Sequence, residues 1–537
     1  MMISSLLPCA GIAAGCLFAA KILLHYFQLE SYQFPGYFRT IRRNLLKAFL
    51  PGLLMALLCC AVLGVFRLIH LENIQWIYIP AAMIIPVAGG YNIGRFLSEK
   101  KAKKSFVYTA RIKRLYAVSF VVLILILSLI YATMKQAFQG QTLSEWFLIL
   151  FPLLLPLWVA LCGLLAWPIE KGISEMYFRD AQRILRKRND LIRIGITGSW
   201  GKTSVKFILG TLLEEKYHTL VTPASFNTPM GVTKVIRTRL EPGHRVFVAE
   251  MGARHVGDIR EMCRLVHPQL GIITSVGPQH LDTFKTVERV AQTKYELIDA
   301  LPENGEAFFA DDNGICRQLF DRTKKSRHLS GLDKRTDDLW AEEIRYSPDG
   351  STFVLCCGEK RVSCSTELLG ELNIRNILLC ASVALHIGLT MDQIKHGIRK
   401  IRPVEHRLQL IRHPGGLNVI DDSFNSNIQG AKQAFQVLGS FPSRRIVVTP
   451  GMVELGDREY EMNREFGAAM SGCCDTVILV GKKRSQAIAD GLKGAGFPEE
   501  MIRIVSSLEE ASSLLQKLAG SGDTVLFEND LPDNYSE

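Results

Sequence analysis

The sequence predicts an α-helical membrane region followed by an α/β region with two domains. Three observations support this fold class. Five apolar stretches precede residue 170, short apolar runs alternate with amphipathic segments after about residue 183, and a glycine-rich turn joins a strand to a helix near residue 200. The 537 residues also exceed what one compact core holds. We expect a transmembrane region over 1–170, a basic juxtamembrane linker over 171–189, a central domain over 190–401 and a Rossmann-like domain over 402–537.

The apolar stretches fit membrane spans, because each approaches the roughly 20 residues that cross a bilayer as a helix. They cover about residues 3–27, 45–69, 74–94, 115–134 and 146–168. The third is the weakest, since Pro80, Pro86 and the pair Gly89–Gly90 interrupt it, and a re-entrant segment is the alternative there. The first stretch lacks a basic leading region, which favours an anchor over a removable signal peptide.

Lys and Arg side chains indicate the orientation. They cluster between the first and second stretches, between the third and fourth, and after the fifth, whereas the two other connections are nearly neutral. Because basic loops stay in the cytoplasm, we expect five spans with the N-terminus outside and everything after Lys171 in the cytoplasm. These flanks account for the net charge of +11, so we expect membrane lipid as a partner and no nucleic acid.

A phosphate-binding loop is predicted in the run TGSWGKTS. The apolar residues 192–196 before it suit a strand, and residues 205–213 after it suit a helix. The glycines let the backbone approach a polyphosphate, whose charge the helix N-terminus favours. Lys202 can then reach the β- and γ-phosphates, and the Thr203 hydroxyl can hold Mg²⁺. The predicted nucleotide contacts are Thr197, Gly198, Ser199, Gly201, Lys202, Thr203 and Ser204.

Three further ionisable residues follow in an ordered series. Glu250 ends a strand predicted over 246–249, His280 follows a strand predicted over 272–275, and Lys294 lies on the next helix. Ligand groups gather beyond the carboxyl ends of parallel strands. We therefore expect these three side chains to face the phosphate loop.

Several ordered segments resemble the Mur ligase family. They are TGSWGKTS, AEMGARHVGDI, SVGPQHLD, QTKYEL, LGELNIRN, VEHRLQLI, VIDDSFNSN and VVTPGMVELGDRE, which lie within about residues 190–480. Within the family, the resemblance is strongest to the ligases that join UDP-N-acetylmuramoyl-tripeptide to D-alanyl-D-alanine. It implies an ATP-dependent ligase that activates a carboxylate as an acyl phosphate, which an amine then attacks.

The resemblance implies roles for individual residues. Lys202 and Thr203 hold phosphates and Mg²⁺, Glu250 joins Thr203 at a first metal, and His280 and a carbamylated Lys294 help to place a second. Lys202, Glu250, His280 and Lys294 are thus the expected catalytic residues, with ATP and Mg²⁺ as cofactors. Metal and lysine charges would offset the repulsion between two anionic substrates.

The remaining implied contacts involve both domains. Asn376 lies near the nucleotide, while Arg407 and Asp422 reach phosphate and ribose from the next domain, so the site completes when the domains close. Asn227 and Asn425 are expected near substrate. Strands are predicted at 417–421, 444–449, 476–480 and 523–527, and the resemblance assigns this C-terminal domain to the amine substrate.

The chain departs from the family pattern in four places. Membrane spans occupy the position of the soluble domain that holds the UDP-sugar. Leu372 replaces a histidine, and Phe424 and Ile428 replace a tyrosine and a proline. A basic segment near the C-terminus is replaced by GDTVLFENDLPDNY, with Glu528, Asp530 and Asp533. These changes suggest an altered substrate pair, such as a lipid-linked or UDP-linked muropeptide with an amino acid or dipeptide.

Three other functions stay open at this point. A polyglutamate-type ligase shares the same domain logic and differs in its amine. A nucleotide-binding membrane scaffold would lack ligase activity, but it would not need all of Lys202, Thr203, Glu250, His280, Lys294 and Asp422. A transport ATPase has little support, because no run of acidic residues lies within the spans. The favoured function is a multi-pass ligase of the cell membrane whose catalytic domains lie in the cytoplasm and act in cell-wall synthesis.

Overall fold

The computed structural model describes residues 2–30, 32–68, 75–98, 105–137, 149–224, 226–311, 314–332, 338–423, 428–453, 455, 458–482 and 484–529. The chain divides into two compact units, with the boundary between Glu175 and Met176. We call them the N-terminal unit and the C-terminal unit. Asn425, Asp530 and Asp533, which the sequence marks as candidate substrate or charge determinants, lie outside the described residues.

The N-terminal unit is built from helices. They are α1 Met2–Ala19, α2 Lys21–Leu29, α3 Phe34–Arg43, α4 Leu45–Leu68, α5 Gln75–Leu97, α6 Ala110–Ala137, a 3₁₀ turn Phe151–Leu154 and α7 Leu155–Arg186, whose last residues enter the C-terminal unit. Within the described residues, three stretches are long and apolar enough to cross a membrane, namely Leu45–Phe66, Ala110–Ile130 and Phe151–Arg186. The pair Cys9–Ala19 and Lys21–Leu29 adds a fourth if its 47° bend lies within one span.

The third predicted stretch differs from the other four. It forms one continuous helix, α5, although Pro80 and Pro86 lie inside it. In the described part of the chain, α5 is not among the helices apolar enough to span on their own. Among the described residues, length and composition give three or four candidate spans, whereas the sequence predicted five over the whole region.

Glycines bring α5 against α1. Gly11 and Gly15 on α1 and Gly90 and Gly94 on α5 are each four residues apart, the spacing that lets membrane helices approach closely. A Cβ on Gly15 would lie 2.2 Å from the Pro86 carbonyl oxygen, and one on Gly90 would lie 2.0 Å from the Gly15 carbonyl oxygen. The two backbones are therefore in direct contact, and any larger side chain would separate them.

The central part of the C-terminal unit is a six-stranded parallel sheet. Its elements are β1 Ile192–Thr197, α8 Lys202–Leu213, β2 Thr219–Val221, α9 Pro229–Arg239, β3 Val246–Glu250, α10 Asp258–Val266, β4 Leu270–Ile273, α11 Leu281–Phe284, α12 Val287–Asp299, β5 Glu306–Ala310, α13 Ile315–Arg322 and β6 Arg327–Ser330. The strand order is β2-β3-β1-β4-β5-β6, so β1 lies between β3 and β4. The carboxyl ends of these three strands form one edge, where α/β sheets bind ligands.

Both faces of this sheet are buried. Successive residues of β3 point to opposite faces, so Val246 and Val248 join one core cluster and Phe247 and Ala249 join another. This explains why its strands are apolar runs without polar alternation. A three-stranded antiparallel sheet, which the sequence did not predict, follows with two helices; these elements are β7 Trp340–Ser347, β8 Gly350–Cys357, β9 Lys360–Thr366, α14 Glu371–His386 and α15 Met391–Lys400.

The last part of the chain forms a second six-stranded sheet. Its elements are β10 Gln409–Arg412, β11 Asn418–Asp422, α16 Ile428–Gly439, β12 Arg445–Thr449, α17 Glu459–Met470, β13 Thr476–Val480, α18 Ser485–Gly494, a 3₁₀ turn Glu499–Met501, β14 Ile502–Val505, α19 Leu508–Leu518 and β15 Thr524–Glu528. The strand order is β10-β11-β15-β12-β13-β14, and only β10 is antiparallel to its neighbour. The four strands predicted here are all present within one residue of their predicted bounds.

Two predicted boundaries in the central sheet were wrong. The helix after the phosphate loop begins at Lys202 and not at residue 205, so Lys202 and Thr203 occupy its first turn. The strand predicted over 272–275 is Leu270–Ile273, so Thr274 and Ser275 belong to the loop after β4. Both shifts concern polar residues at the ends of elements, where assigned boundaries vary most. These residues lie at the edge of the sheet that carries the predicted site.

Candidate active site

The phosphate loop lies between β1 and α8 and is held in place by the loop after β4. The Ser199 amide donates to the Ser275 carbonyl oxygen at 2.9 Å, and the Trp200 amide donates to Ser275 Oγ at 2.8 Å. A Cβ on Gly198 would lie 2.0 Å from Thr274 Oγ1, so only glycine fits between the two loops. The loop is therefore a fixed cradle at the carboxyl edge of the sheet.

The N-terminus of α8 is shaped by Gly201. Its φ of +79° is left-handed, a conformation that glycine adopts without strain. A Cβ at this position would lie 3.2 Å from Oδ1 of Asn376, a residue of α14 that is only 3% exposed. Asn376, predicted near the nucleotide, thus lies against the phosphate loop.

Lys202 bends back over the loop. Its Nζ donates to the Gly198 carbonyl oxygen at 2.6 Å and to that of Ser199 at 2.9 Å. Burial lowers the pKa of Lys202 to about 8, while the Glu250 carboxylate opposes this shift and Arg407 adds to it. The ammonium group is placed where a bound phosphate would compete for it with the loop carbonyls.

Glu250 is the centre of the charged cluster. It is buried at the end of β3, where Thr203 Oγ1 lies 3.1 Å from its Oε2 and Asn227 Nδ2 donates to its Oε1 at 3.0 Å. The Glu250 amide donates to Thr222 Oγ1 at 3.1 Å, which fixes the strand end. Asn227, predicted near substrate, therefore orients this carboxylate.

Lys206 is a site residue that the sequence reasoning missed. Its Nζ lies 3.0 Å from Glu250 Oε2, with side-chain exposures of 0% and 1% for the two residues, and it also donates to the Ala224 carbonyl oxygen. Burial raises the pKa of Glu250, but the charges of Lys206 and Lys202 outweigh burial and hold it below its usual range. The available signal was a lysine one helical turn after Lys202, within the apolar run VKFIL.

Lys294 and His280 lie on the elements that follow β4. Lys294 is 1% exposed on α12, and its pKa falls well below the usual range because of burial and the Lys202 charge, which Asp258 only partly opposes. His280 is half-buried directly before α11, with a left-handed φ of +51°. Because the Lys202 charge lowers the pKa of Lys294, the Lys294 side chain is influenced by the charge of the phosphate loop.

Arg407 and Asp422 contribute charge from the C-terminal sheet. The Leu408 amide donates to Asp422 Oδ1 at 3.0 Å. Burial raises the pKa of Asp422 to about 6, although Arg407 and this hydrogen bond act in the opposite direction. Burial also lowers the pKa of Arg407, while the charges of Asp422 and Glu250 raise it. Arg407 therefore interacts electrostatically with one carboxyl group from each of the two six-stranded sheets.

The donor set around Thr203 suits a magnesium ion. Mg²⁺ prefers oxygen ligands, and it is often held by one or two carboxylates with substrate phosphates. The Thr203 hydroxyl and the Glu250 carboxylate supply such oxygens side by side at the first turn of α8. The phosphate loop, the oxygen pair and the buried lysines together form a site that can bind a nucleoside triphosphate with its metal ion.

Comparison with known proteins agrees with this arrangement. The Mur ligase middle domain matches residues 196–384, and the glutamate ligase domain of Mur ligases matches residues 406–528. The UDP-N-acetylmuramoyl-tripeptide–D-alanyl-D-alanine ligase of Escherichia coli (strain K12) is 32% identical over 336 residues, which are 61% of this chain and 74% of that protein.

Two solved structures extend the agreement to the fold. MurF from Acinetobacter baumannii superposes with a TM-score of 0.60 at 24% identity over 66% of this chain and 77% of its own. MurF ligase from Thermotoga maritima, solved in complex with ADP, gives 0.59 at 25% identity over 66% of this chain and 80% of its own. The chain belongs to the Mur ligase family, and it is an ATP-dependent amide ligase of that family.

Proposed function

We propose that this ligase joins the carboxyl group of a muramoyl peptide to the amine of an amino acid or dipeptide, at the cytoplasmic face of the cell membrane. The observation that carries the proposal is the buried Glu250 cluster beside the phosphate loop, coupled through Arg407 to Asp422 of the C-terminal sheet. A nucleotide held between the two sheets would meet positive charge from Lys202, Lys206 and Arg407.

The chemistry follows from this charge distribution. A carboxylate oxygen of the peptide attacks the γ-phosphorus, the bond from that phosphorus to the bridging oxygen of ADP breaks, and an acyl phosphate forms. The neutral amine then attacks the carbonyl carbon, phosphate leaves with the bonding pair, and one proton is lost from nitrogen. Lys202 neutralises the phosphate oxygens during transfer, and Arg407 offsets the repulsion between the two anions that must meet.

The residues at the first turn of α8 fit the metal that the family implies. Thr203 and Glu250 would hold Mg²⁺, which supplies charge neutralisation to the phosphates when bound. Asn227 and Lys206 keep the Glu250 carboxylate oriented and ionised for that task. We propose that His280 helps to hold a second metal ion, the role that the family resemblance implies for it.

Lys294 suits a covalent modification that would add a carboxylate to the site. Burial lowers the pKa of Lys294 well below its usual range, which favours the neutral and nucleophilic amine. We propose that Lys294 Nζ attacks the carbon of CO₂, forms an N–C bond and loses one proton, which gives a carbamate. That group is an oxygen ligand of the kind that Mg²⁺ prefers.

The substrate pair is proposed to differ from that of the soluble relatives. Apolar helices occupy the chain before the matched domains, which favours a lipid-linked acyl donor presented at the membrane over a UDP-linked one. Glu528 is buried at the end of β15, in register with Asp422 on β11. We propose that this carboxyl group, when ionised, disfavours an amine substrate with a free carboxylate nearby, because like charges repel.

Phosphate release from ATP by the full-length protein in detergent tests this proposal. We expect release only when a muramoyl peptide and an amine are both present, with lipid-linked donor and amidated dipeptide preferred over UDP-linked donor and free D-alanyl-D-alanine. Lys202→Ala should abolish release, whereas Lys400→Ala, a matched exposed lysine on α15 paired with Glu215, should not.

Other outcomes separate the parts of the proposal. Equal turnover with UDP-muramoyl-tripeptide and free D-alanyl-D-alanine would contradict the proposed change of substrates. It would instead support the reaction for which the relatives are named. Stimulation by glutamate on a growing γ-linked chain would favour the polyglutamate-type alternative, for which the comparisons give no better support than for the muramoyl ligases.

A further inference from the structure

Three potential metal ligands converge at the sheet edge opposite the phosphate loop. Glu306 is the first residue of β5, His328 lies at the start of β6, and His386 ends α14. One ligand atom from each lies within 4.8 Å of the other two, and Glu306 Oε2 is 3.0 Å from His328 Nε2. We call this group the His–His–Glu cluster. Neither the ligase chemistry nor the family comparison uses it.

The sheet register produces this convergence. Glu306 and Phe308 point to one face of β5 because side chains alternate along a strand, and Phe308 pairs with His328 across β5 and β6. The Phe308 ring stacks on the His328 imidazole with centroids 4.7 Å apart and meets His386 edge-on at 5.5 Å. These contacts restrict the planes of both imidazoles.

The helix end that carries His386 is fixed from a second direction. The Tyr217 hydroxyl donates to the Ile387 carbonyl oxygen at 2.7 Å, and Lys216 Nζ donates to that of Gly388 at 2.6 Å. These hydrogen bonds connect the turn after α14 to residues 216–217, which lie between α8 and β2. His386 itself remains exposed, which leaves one side of the cluster open to water.

A second carboxylate stands behind His328. Asp338 Oδ2 lies 3.8 Å from His328 Nδ1 and accepts a hydrogen bond from the Leu329 amide at 3.0 Å. Histidines that bind metals commonly present their other ring nitrogen to a carboxylate, which fixes the tautomer and raises ligand basicity. With Nδ1 facing Asp338, Nε2 is the nitrogen that faces Glu306.

We propose that Glu306, His328 and His386 bind one Zn²⁺-type transition-metal ion, with water completing the coordination. Two imidazoles and one carboxylate are a ligand set that zinc accepts, whereas magnesium prefers oxygen alone. Tetrahedral ligands at about 2.0–2.1 Å lie roughly 3.4 Å apart, so small side-chain rotations close the cluster. The ion would join β5, β6 and α14, the helix whose other half carries Asn376 beside the phosphate loop.

Cobalt titration of the full-length, untagged protein in detergent tests the proposal. The protein is first stripped with chelator, and the nucleotide site is saturated with Mg²⁺ and ADP. We expect one Co²⁺ per chain with the visible absorption of a low-coordinate site, displaced by one equivalent of Zn²⁺. His328→Asn and His386→Gln should each lower zinc affinity by more than ~100-fold, and Asp338→Asn by ~10–100-fold.

Two further variants keep the test decisive. His386→Cys exchanges one zinc ligand for another, so it should retain the ion and add a thiolate-to-cobalt charge-transfer band. His396→Gln alters an exposed histidine on the neighbouring helix, where it pairs with Glu215, and should change nothing. The proposal is overturned if no ion binds at one per chain, or if a bound ion is insensitive to His328→Asn and His386→Cys shows no new band. In either case the cluster is an ion pair only.

Discussion

At the scale of single residues, the Lys206 ammonium and the Glu250 carboxylate form a fully buried ion pair 3.0 Å apart, and the Lys206 charge favours the ionised form of Glu250, which we propose as a metal ligand. Removing one partner of such a pair leaves an uncompensated buried charge. We expect Lys206→Met to destabilise the C-terminal unit by about 3–5 kcal/mol and to abolish ligase turnover.

Thermal unfolding in detergent, followed by a thiol-reactive dye or by tryptophan fluorescence, measures the predicted loss of stability. The double variant Lys206→Met/Glu250→Gln removes both charges and should recover much of the lost melting temperature without recovering turnover. An unchanged melting temperature in Lys206→Met alone would contradict a buried charge pair at this position.

Asp422 gives the site a pH dependence in the acidic range. Its pKa is raised to about 6, and we propose that it accepts ribose hydroxyl hydrogen bonds, which are stronger to an ionised carboxylate than to a neutral carboxyl group. Nucleotide affinity should therefore be highest well above pH 6 and fall as the pH drops through about 6. Isothermal titration of Mg²⁺-ADP at several pH values measures this.

The matched variant is Asp422→Asn, which keeps the shape and removes the titration. It should bind ADP more weakly at pH 7.5, and its ADP affinity should not fall further below pH 6. A fall in ADP affinity that persists in Asp422→Asn would mean that another group titrates in this range.

The effect of Asp422 on folding stability has the opposite sign. A carboxyl group with a raised pKa favours folding below its usual pKa of 3.8 and loses that contribution as the pH rises through 6.

At the scale of elements, the junction between β1 and α8 requires glycine for two separate reasons. Gly201 has a left-handed φ, and its missing Cβ leaves room for the Asn376 amide. Gly201→Ala should thus cost ~1–2 kcal/mol of backbone strain and also shift Asn376, which raises KM for ATP. Steady-state kinetics together with thermal unfolding separate the two effects.

Gly257→Ala is the control for this prediction. Gly257 also has a left-handed φ, +95°, before α10, but nothing lies within 4 Å of a Cβ there. It should show the loss of stability and an unchanged KM for ATP. Equal KM values in both alanine variants would mean that the contact with Asn376 has no part in nucleotide binding.

The contact between α1 and α5 is the second element-scale feature with a measurable consequence. Gly15→Ile or Gly90→Ile would push two touching backbones apart, since each Cβ would lie within about 2.2 Å of a carbonyl oxygen. We expect lower melting temperatures in detergent and more aggregation. Gly64→Ile on α4 has nothing within 4 Å of its Cβ and should behave as the parent protein.

At the scale of the whole molecule, the apolar helices and the family match predict one ligase attached to one membrane. The protein should stay in the membrane fraction after high-salt and alkaline carbonate washes, which release proteins held by charge alone. A reporter fused to the C-terminus should be active in the cytoplasm, in keeping with the basic segments that flank the helices. Release by carbonate would show that the helices do not span.

Most of the C-terminal unit was predictable from sequence, because strand ends, glycines and the phosphate loop are encoded locally. Thr203 lies beside Glu250, Asn376 lies against Gly201 of the phosphate loop, and four strands of the second sheet were predicted within one residue. Lys206 was missed, since its spacing one helical turn after Lys202 is only a weak signal until the position of Glu250 on the neighbouring strand is known. The sheet β7–β9 was missed although its strands have seven or eight residues and an Asp-Gly turn joins the first two, because a bulge between Glu342 and Arg345 breaks the alternation of side chains along β7.

The glycine contact between α1 and α5 also has a consequence for biogenesis. A helix with two prolines inside it lacks part of its backbone hydrogen bonding, and close small-residue packing against a partner helix offsets that loss within a membrane. Helix α1, which is synthesised some seventy residues before α5, would then assist the insertion of α5 into the membrane. Loss of α1 would leave α5 without its partner helix, so a change in α1 should also alter the membrane insertion of α5.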